Sequence, residues 1–259
     1  MSNFAANLSM MFTELPFAER FQAAANAGFT AVEYLFPYEL PAERIRGLLR
    51  ENGLVQALFN APAGTWEAGE RGLAALEGRE KEFHSSIELA IDYARILQCP
   101  RVHVMAGNAP VTPQATETYV GNLRHAADAA AAAGLQLSIE PINARDMPGY
   151  FLSGVPQALE LLERIDRPNV GLQFDYYHAQ ITHGDVTMLM RGCIERITHV
   201  QIASVPERHE PDGGELNLNY VLGELHAAGY RGWIGCEYRP RTTTEAGLGW
   251  LHRVTASQP

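Results

Sequence analysis

The chain has 259 residues, of which 46% are hydrophobic and 19% are charged, and its formal net charge is −10. This composition is typical of a globular protein with a sizeable core, and the length suits one (β/α) barrel of about 250 residues. The negative charge argues against a basic surface that binds nucleic acid or an anionic membrane, but it leaves room for a pocket that takes a small anion.

Short apolar runs alternate with amphipathic stretches along the chain, which is the pattern of repeated strand–helix units. The expected strands, in chain order, are Phe4–Ser9, Ala31–Phe36, Leu54–Phe59, Arg101–Met105, Leu135–Glu140, Asn169–Asp175, Ile197–Ile202 and Trp233–Glu237. The expected helices are Pro16–Ala27, Pro41–Glu51, Glu80–Leu97, Thr116–Ala133, Pro156–Ile165, Asp185–Cys193, Asn217–Ala228 and a last helix from about Thr243.

The number and spacing of these units predict the fold. Eight strand–helix units recur at intervals of roughly 30 residues, and such units pair in parallel with right-handed crossovers. The first strand–helix turn has no GxGxxG motif, which argues against a dinucleotide-binding sheet. We therefore predict an α/β protein that forms one (β/α)8 TIM barrel, with residues 1–259 as a single domain.

The cysteines and the N-terminus indicate the compartment. The three cysteines, Cys99, Cys193 and Cys236, have no CxxC spacing, so neither a disulfide framework nor a cysteine metal site is expected. The apolar run from Phe4 to Phe12 is too short to span a bilayer. These features predict a cytoplasmic protein that does not bind membranes. They leave open whether it forms a homo-oligomer.

One predicted strand, which follows Gly134, ends on the carboxylate of Glu140 and is followed directly by Pro141. Proline cannot donate a hydrogen bond to a strand ladder, so strand pairing ends there. In a parallel barrel, catalytic side chains lie at the C-terminal ends of the strands. Taken alone, Glu140 fits an exposed strand end equally well.

Polar residues also end three later strands, at Asp175, Gln201 and Glu237, each 26 to 36 residues after the previous one. A barrel brings all these strand ends to one mouth. Carboxylates that meet there repel each other and raise one another's pKa values unless a cation lies among them. Oxygen ligands suit Mg²⁺ or Mn²⁺ better than zinc. We therefore predict a divalent metal site formed by Glu140 and these three residues.

Three histidines and one tryptophan lie near the same mouth. His178 follows Asp175 by three residues and is expected on a covering loop, where it binds a substrate oxygen. His199 is expected inside the barrel as a hydrogen-bonded core residue. The position of His103 fits either role, and Trp66 fits either a pocket wall or the core.

The remaining candidates are substrate-binding residues on loops and strand ends. Arg208 is expected to hold a substrate carboxylate, because a guanidinium grips it through two hydrogen bonds. Asp146 lies on the loop after the fifth strand, and Asn7, Glu33 and Asn60 end or nearly end the first three strands. Asn7, Glu33 and Asn60 are equally consistent with ordinary polar residues in turns.

Five motifs along the chain can be compared with known families: Phe4–Met10, Val32–Tyr38, Trp66–Gly72, Ile139–Asn143 and Gly235–Tyr238. They resemble the hydroxypyruvate isomerase family of the xylose-isomerase-like TIM barrels. The resemblance covers essentially the whole chain.

The resemblance implies a metal held by Glu140, Asp175, Gln201 and Glu237, with the two glutamates also acting as proton donor and acceptor. Related sugar epimerases usually carry a histidine where this chain has Gln201. The activity implied first is conversion of hydroxypyruvate to tartronate semialdehyde. The same branch includes 2-oxo-tetronate isomerases, and these motifs do not separate the two substrates.

The expected reaction moves a proton between adjacent carbons of a small oxo or hydroxy acid, through an enediolate that the metal stabilises. More distant alternatives are a sugar epimerase, a metal-dependent phosphodiesterase of the abasic-site endonuclease type, and a non-catalytic protein that binds sugar acids. The phosphodiesterase requires a histidine-rich zinc cluster and a basic DNA-binding face. The negative charge opposes that face.

Overall fold

A computed structural model describes residues 3–256, and within that range eight parallel strands close into a barrel in the order β1 to β8. Residues 1–2 and 257–259 of the predicted domain lie outside the described residues. The strands are β1 Asn3–Asn7, β2 Ala31–Tyr34, β3 Val55–Asn60, β4 Arg101–His103, β5 Gln136–Ile139, β6 Val170–Asp175, β7 Ile197–Ile202 and β8 Trp233–Cys236. The predicted (β/α)8 fold is confirmed.

Helices follow each strand and cover the outside of the barrel. They are α1 Phe17–Asn26, α2 Ala42–Glu51, α3 Glu80–Leu97, α4 Pro113–Ala132, α5 Val155–Ile165, α6 Tyr176–Thr182, α7 Val186–Cys193, α8 Leu218–Ala227, α9 Thr244–Gly247 and α10 Gly249–Ala256. Most of the expected helices agree to within a residue or two at each end. Helix α4 starts earlier because Pro113 occupies its first turn and the side chain of Thr112 caps it.

Helix α6 was not expected, and the placement of His178 on a covering loop was wrong. The helix begins directly after β6, because Oδ1 of Asp175 accepts a hydrogen bond from the backbone N–H of Tyr177 at 2.8 Å and caps the helix. His178 therefore lies in the first helical turn and is buried. At seven residues, the helix is too short to show a clear apolar period in the sequence.

The strands separate two interiors. Side chains alternate along a strand, so Phe4 and Ala6 join the large core between barrel and helices, while Ala5 joins a small separate cluster with Ala31. Further along the barrel axis the small cluster gives way to buried polar residues. These are Glu33, Ser138, Gln173, His199 and Gln201.

Because Gly235 has no side chain, the buried carboxylate of Glu33 occupies the space beside it. A Cβ added at Gly235 would approach both Glu33 carboxylate oxygens to less than 3.0 Å. That carboxylate cannot retreat easily, because His199 lies 2.7 Å from it and Gln201 donates to it at 2.8 Å.

We expect Gly235→Ala to lower the free energy of unfolding by about 1–3 kcal/mol through this overpacking, as measured by urea denaturation. Gly223→Ala is the matched control: Gly223 lies exposed within α8, and a Cβ there meets nothing within 4 Å. That control is expected to raise stability by about 0.5–1 kcal/mol. Equal effects of both substitutions would contradict the packing explanation.

The described residues also bear on the predictions about cysteines and membranes. All three cysteines are buried as free thiols, as expected from their spacing. Within residues 3–256, no helix combines the length and the apolar character needed to cross a bilayer.

Candidate active site

Three carboxylates meet at the C-terminal mouth of the barrel. Asp175 is the last residue of β6, and Glu140 and Glu237 lie one residue beyond β5 and β8. Together with His178 they offer ligand atoms that all lie within 4.8 Å of one another, and all four residues are buried. The expected convergence of these strand ends is therefore observed.

A cavity of about 370 Å³ opens onto this group, a volume within the usual range for small-molecule sites. Six predicted site residues line it: Asn60, Glu140, Asp146, His178, Arg208 and Glu237. Five other polar or aromatic side chains share the lining: Trp66, Arg71, His103, Gln173 and Arg239. The site is a concave pocket rather than a set of exposed strand ends.

Burial and mutual repulsion favour the protonated over the ionised forms of these three carboxyl groups. Burial raises the pKa of Glu140 well above its usual range, and the charges of Glu237 and Asp175 raise it further. Burial also raises the pKa of Glu237 to about 8 and that of Asp175 to about 6, although Arg208 lowers both. A cation among the three would reverse this by stabilising the ionised forms.

The donor set fits a divalent metal ion. Oε1 of Glu140 is buried and has no hydrogen-bond partner among the described residues, and an unpaired buried carboxylate oxygen is costly. Ligand oxygens around Mg²⁺ lie about 2.1 Å from the ion and hence up to roughly 4.2 Å from each other. The ligand atoms of Glu140, Asp175 and Glu237, in a group that also includes His178, lie within 4.8 Å of one another, which is slightly wider than that arrangement.

Arg208 carries the positive charge nearest to the carboxylates. Its Nη2 donates to Oε2 of Glu237 at 2.5 Å and lies 3.5 Å from Oδ2 of Asp175, while Nη1 lies 3.7 Å from Oδ2 of Asp146. Burial alone would lower the pKa of Arg208, but Glu237 and Asp175 hold it above its ordinary value. Its φ of 61° is a left-handed conformation of the kind that clusters at functional sites.

His178 presents a ring N–H to the carboxylates. Its Nδ1 lies 2.6 Å from Nδ2 of Asn143 and 3.4 Å from the backbone N–H of the same residue. Oδ1 of Asn143 accepts from the backbone N–H of Asp146, which fixes the amide so that Nδ2 is the donor. Burial and then Arg208 lower the pKa of His178 well below its usual range. The two Asn143 donors beside Nδ1 favour the tautomer with the proton on Nε2, although Nη2 of Arg208, itself a donor, lies 3.4 Å from that nitrogen.

The protonated Nε2 of His178 lies 3.5 Å from Oδ2 of Asp175 and 3.8 Å from Oε1 of Glu140. A nitrogen that carries a proton has no lone pair for a metal. The side chain is therefore arranged as a hydrogen-bond donor at the edge of the carboxylate group.

His103 is a second histidine that lines the pocket. Its Nδ1 lies 3.2 Å from Oδ1 of Asn60, and its Nε2 lies 3.7 Å from Oε2 of Glu140. Burial, and then the nearby His199, lower the pKa of His103 to about 3, so this ring is uncharged. Asn60 thus contributes to the site partly by orienting the ring of His103.

Gln201 lies within a buried hydrogen-bond chain beneath the carboxylates. Its Nε2 donates to Oε1 of Glu33 at 2.8 Å, and its Oε1 accepts from Nε2 of Gln173 at 2.7 Å. Gln173 in turn accepts from the hydroxyl of Ser138 at 3.0 Å. The amide nitrogen of Gln201 thus faces Glu33, and its amide oxygen faces Gln173. The oxygen keeps one lone pair free.

Asn7 and His199 join the same chain. Nδ2 of Asn7 donates to Glu33 at 2.9 Å and lies 3.5 Å from Oε1 of Glu237. His199 is fully buried, as expected, with Nε2 2.7 Å from Glu33. The central position of Glu33 in this hydrogen-bond chain was not predicted from the sequence. The available signal was its inward position on β2 opposite a glycine, Gly235.

Comparison with known proteins places the chain in a family. Residues 21–254 match the family described as xylose isomerase-like TIM barrel. The chain is 54% identical to a 2-oxo-tetronate isomerase from Cupriavidus necator, over 97% of this chain and 98% of that protein. It is 44% identical to a hydroxypyruvate isomerase from Escherichia coli, again over 97% of this chain and 98% of the relative.

A solved structure described as AP endonuclease, family 2, from Brucella melitensis superposes with a TM-score of 0.96. It is 50% identical and covers 98% of this chain and 99% of its own. The resemblance drawn from the motifs is confirmed. This chain is an isomerase that belongs to the hydroxypyruvate isomerase and 2-oxo-tetronate isomerase family of the xylose isomerase-like TIM barrels.

Proposed function

We propose that this enzyme interconverts 2-oxo-tetronate and its 3-oxo isomer, that is, 2-dehydrotetronate and 3-dehydrotetronate. The observation that carries the proposal is the 54% identity to a protein named 2-oxo-tetronate isomerase, against 44% for one named hydroxypyruvate isomerase. The family resemblance put hydroxypyruvate first, although the motifs did not separate the two substrates. The relatives favour the four-carbon acid, and hydroxypyruvate, one carbon shorter, is the second candidate.

The pocket suits a small anionic substrate. Although the chain has a net charge of −10, the cavity contains Arg208, Arg71 and Arg239 among its lining residues. A local positive field can oppose the overall charge and attract an anion. Asp146, His178, Arg208, Asn7 and Asn60 are the residues we assign to substrate binding.

The proposed metal ligands are Glu140, Asp175, Gln201 and Glu237, and Mg²⁺ or Mn²⁺ is the cation that their oxygen atoms suit. Such an ion, when bound, supplies Lewis-acid stabilisation of the charge that develops on the substrate oxygens. Asp175 is held by its role as the cap of α6. The free lone pair of Gln201 and the unpaired Oε1 of Glu140 support the assignment.

Glu140 and Glu237 are the proposed proton carriers. They directly follow strands β5 and β8, which are three strands apart around the closed barrel, and the proposed substrate lies between them. One glutamate takes a proton from a carbon beside the carbonyl, and the same or the opposing glutamate delivers one to the neighbouring carbon.

The N–H of His178 and the guanidinium of Arg208 supply hydrogen-bond donors beside these carboxylates. Donors at that position stabilise the negative charge that appears on the substrate oxygens when the proton leaves. Because both side chains are buried, their hydrogen bonds are not screened by bulk water.

The abasic-site endonuclease alternative finds less support in this chain. Within residues 3–256, the one group of at least three ligand side chains contains a single histidine. A multi-zinc phosphodiesterase of that type was expected to carry several. The net charge of −10 also opposes a DNA-binding face.

The test compares both acids with the same metal-loaded enzyme. We expect kcat/KM for 2-oxo-tetronate to exceed that for hydroxypyruvate by at least about tenfold, since the extra hydroxymethyl group adds contacts of roughly 1–3 kcal/mol. Turnover in deuterated water adds a second readout, because a proton shuttle introduces solvent deuterium into the product. A higher kcat/KM for hydroxypyruvate would reverse the substrate assignment.

A further inference from the structure

Arg71 is a second arginine of the pocket, fixed in position by its neighbours. Its guanidinium lies over the ring of Trp66 at 3.9 Å, and its Nη1 donates to the backbone carbonyls of Trp66 and Glu70 at 3.0 and 2.7 Å. Both residues line the same cavity as Glu140 and Glu237. Among the described residues, no protein group accepts a hydrogen bond from Nε or Nη2 of Arg71.

The loop that carries Arg71 is anchored to the barrel. The next residue, Gly72, has a φ of 123° and lies so close to Met105 and Gly107 that a Cβ would come within 3.0 Å of their backbones. The carboxylate of Glu70 accepts from the backbone N–H of Thr65 at 2.5 Å and pairs with Arg79. Arg71 therefore stands on a rigid wall of the pocket.

The three arginines of the cavity differ in their counter-charges. Arg208 faces three carboxylates, those of Asp146, Asp175 and Glu237. Arg239 is exposed, and its side chain has no hydrogen-bond or ion-pair partner among the described residues. Arg71 alone combines a fixed guanidinium with the absence of a carboxylate partner within the described part of the chain. Its positive charge is directed at the cavity and is not neutralised by the protein.

We propose that Arg71, stacked on Trp66, forms the subsite that binds the carboxylate of the oxo-acid substrate. This inference rests on the proposed function, and it moves the carboxylate contact from Arg208, which the sequence suggested, to Arg71. Arg208 then contacts the oxygens nearest the metal ligands. The substrate lies with its carboxylate at Trp66 and Arg71 and its reacting carbons between Glu140 and Glu237.

The free donors of Arg71 match this ligand. Nε and one N–H of Nη2 form the planar fork that grips a carboxylate through two parallel hydrogen bonds. Stacking on the indole and the two carbonyl contacts hold the plane of that fork before the substrate arrives. A neutral sugar offers no such partner. Arg71 is thus a specificity residue for acids over sugars.

The test uses two ligands that differ in one group, D-erythronate and the uncharged erythritol. Their inhibition constants are measured on the metal-loaded wild type and on Arg71→Met. We expect D-erythronate to bind roughly 10- to 100-fold more weakly to the variant, the usual size of a charge-assisted hydrogen-bonded contact. The affinity for erythritol is expected to change by less than about twofold, since erythritol has no carboxylate for Arg71 to bind.

Two further variants keep the test specific. Arg71→Lys keeps the charge but loses the fork, so it should fall between the wild type and Arg71→Met. Arg239→Met removes the same charge from the same cavity without a held guanidinium, and we expect a smaller loss of D-erythronate affinity there. Circular dichroism and the Tm of each variant report on folding.

Three outcomes would overturn the subsite: equal weakening of both ligands, unchanged D-erythronate affinity in Arg71→Met, or a larger loss in Arg239→Met. Because these are binding measurements, they separate the subsite from the reaction. A wild type that does not turn over 2-oxo-tetronate, yet loses its preference for the acid in Arg71→Met, would contradict the proposed function and leave the subsite standing.

Discussion

Replacing Glu140 or Glu237 by glutamine is expected to lower kcat by a factor of about a hundred or more, while the barrel remains folded. Glutamine keeps the size and one oxygen of glutamate but cannot accept and return a proton at neutral pH. Each glutamate lies at a strand end in the buried carboxylate group. The measurement is steady-state turnover of 2-oxo-tetronate, with the Tm of each variant as the check on folding.

The matched control is Glu117→Gln, which removes an exposed carboxylate that pairs with Arg164 at 2.7 Å on the outer helices. Exposed ion pairs contribute about 0–1 kcal/mol, so this variant should keep both activity and stability. Near-normal turnover in both Glu140→Gln and Glu237→Gln would refute the proton-transfer assignment. Loss in one variant alone would assign both proton transfers to that residue.

Removing divalent metal is expected to abolish turnover and to make the stability of the protein strongly dependent on pH. In the metal-free protein burial raises the pKa of Glu237 to about 8 and that of Asp175 to about 6. The folded protein then holds more protons than the unfolded chain between about pH 4 and pH 8. Its stability is greatest below that window and falls as pH rises through it.

A bound cation counteracts this fall, because metal binding requires the ionised carboxylates and stabilises only the folded state. We expect the Tm of the chelator-treated protein to decrease from about pH 5 to pH 8, and Mg²⁺ or Mn²⁺ to restore it most strongly at the high end. Glu237→Gln removes one titrating group and should make the metal-free decrease shallower. A Tm that rises with pH in the metal-free protein would contradict the raised pKa values.

The sequence predicted the barrel and the meeting of the three carboxylates because both follow from the order of elements along the chain. Regular alternation of strands and helices defines a closed parallel barrel, and residues at strand ends then meet whatever their separation in sequence. Asp175 and Glu237 could be assigned in this way. No side-chain geometry was needed.

The remaining features depend on contacts that periodicity does not encode. His178 belongs to a short helix that a single side-chain cap starts, and Arg208 is surrounded by carboxylates from three different elements. The wall formed by Trp66 and Arg71 depends on the anchoring of an irregular loop to the segment after β4, at Met105 and Gly107. Such contacts join residues whose positions do not follow from the strand–helix repeat of the sequence.

The contact between Gly235 and the carboxylate of Glu33 has a consequence for the routes by which this barrel can evolve. Any side chain at position 235 collides with Glu33, and shortening Glu33 leaves His199 and Gln201 without their shared acceptor. A substitution at position 33 alone or at position 235 alone therefore gives a less stable protein. The four positions are coupled by packing and hydrogen bonds, so a tolerated change at one of them is expected to require a compensating change at another.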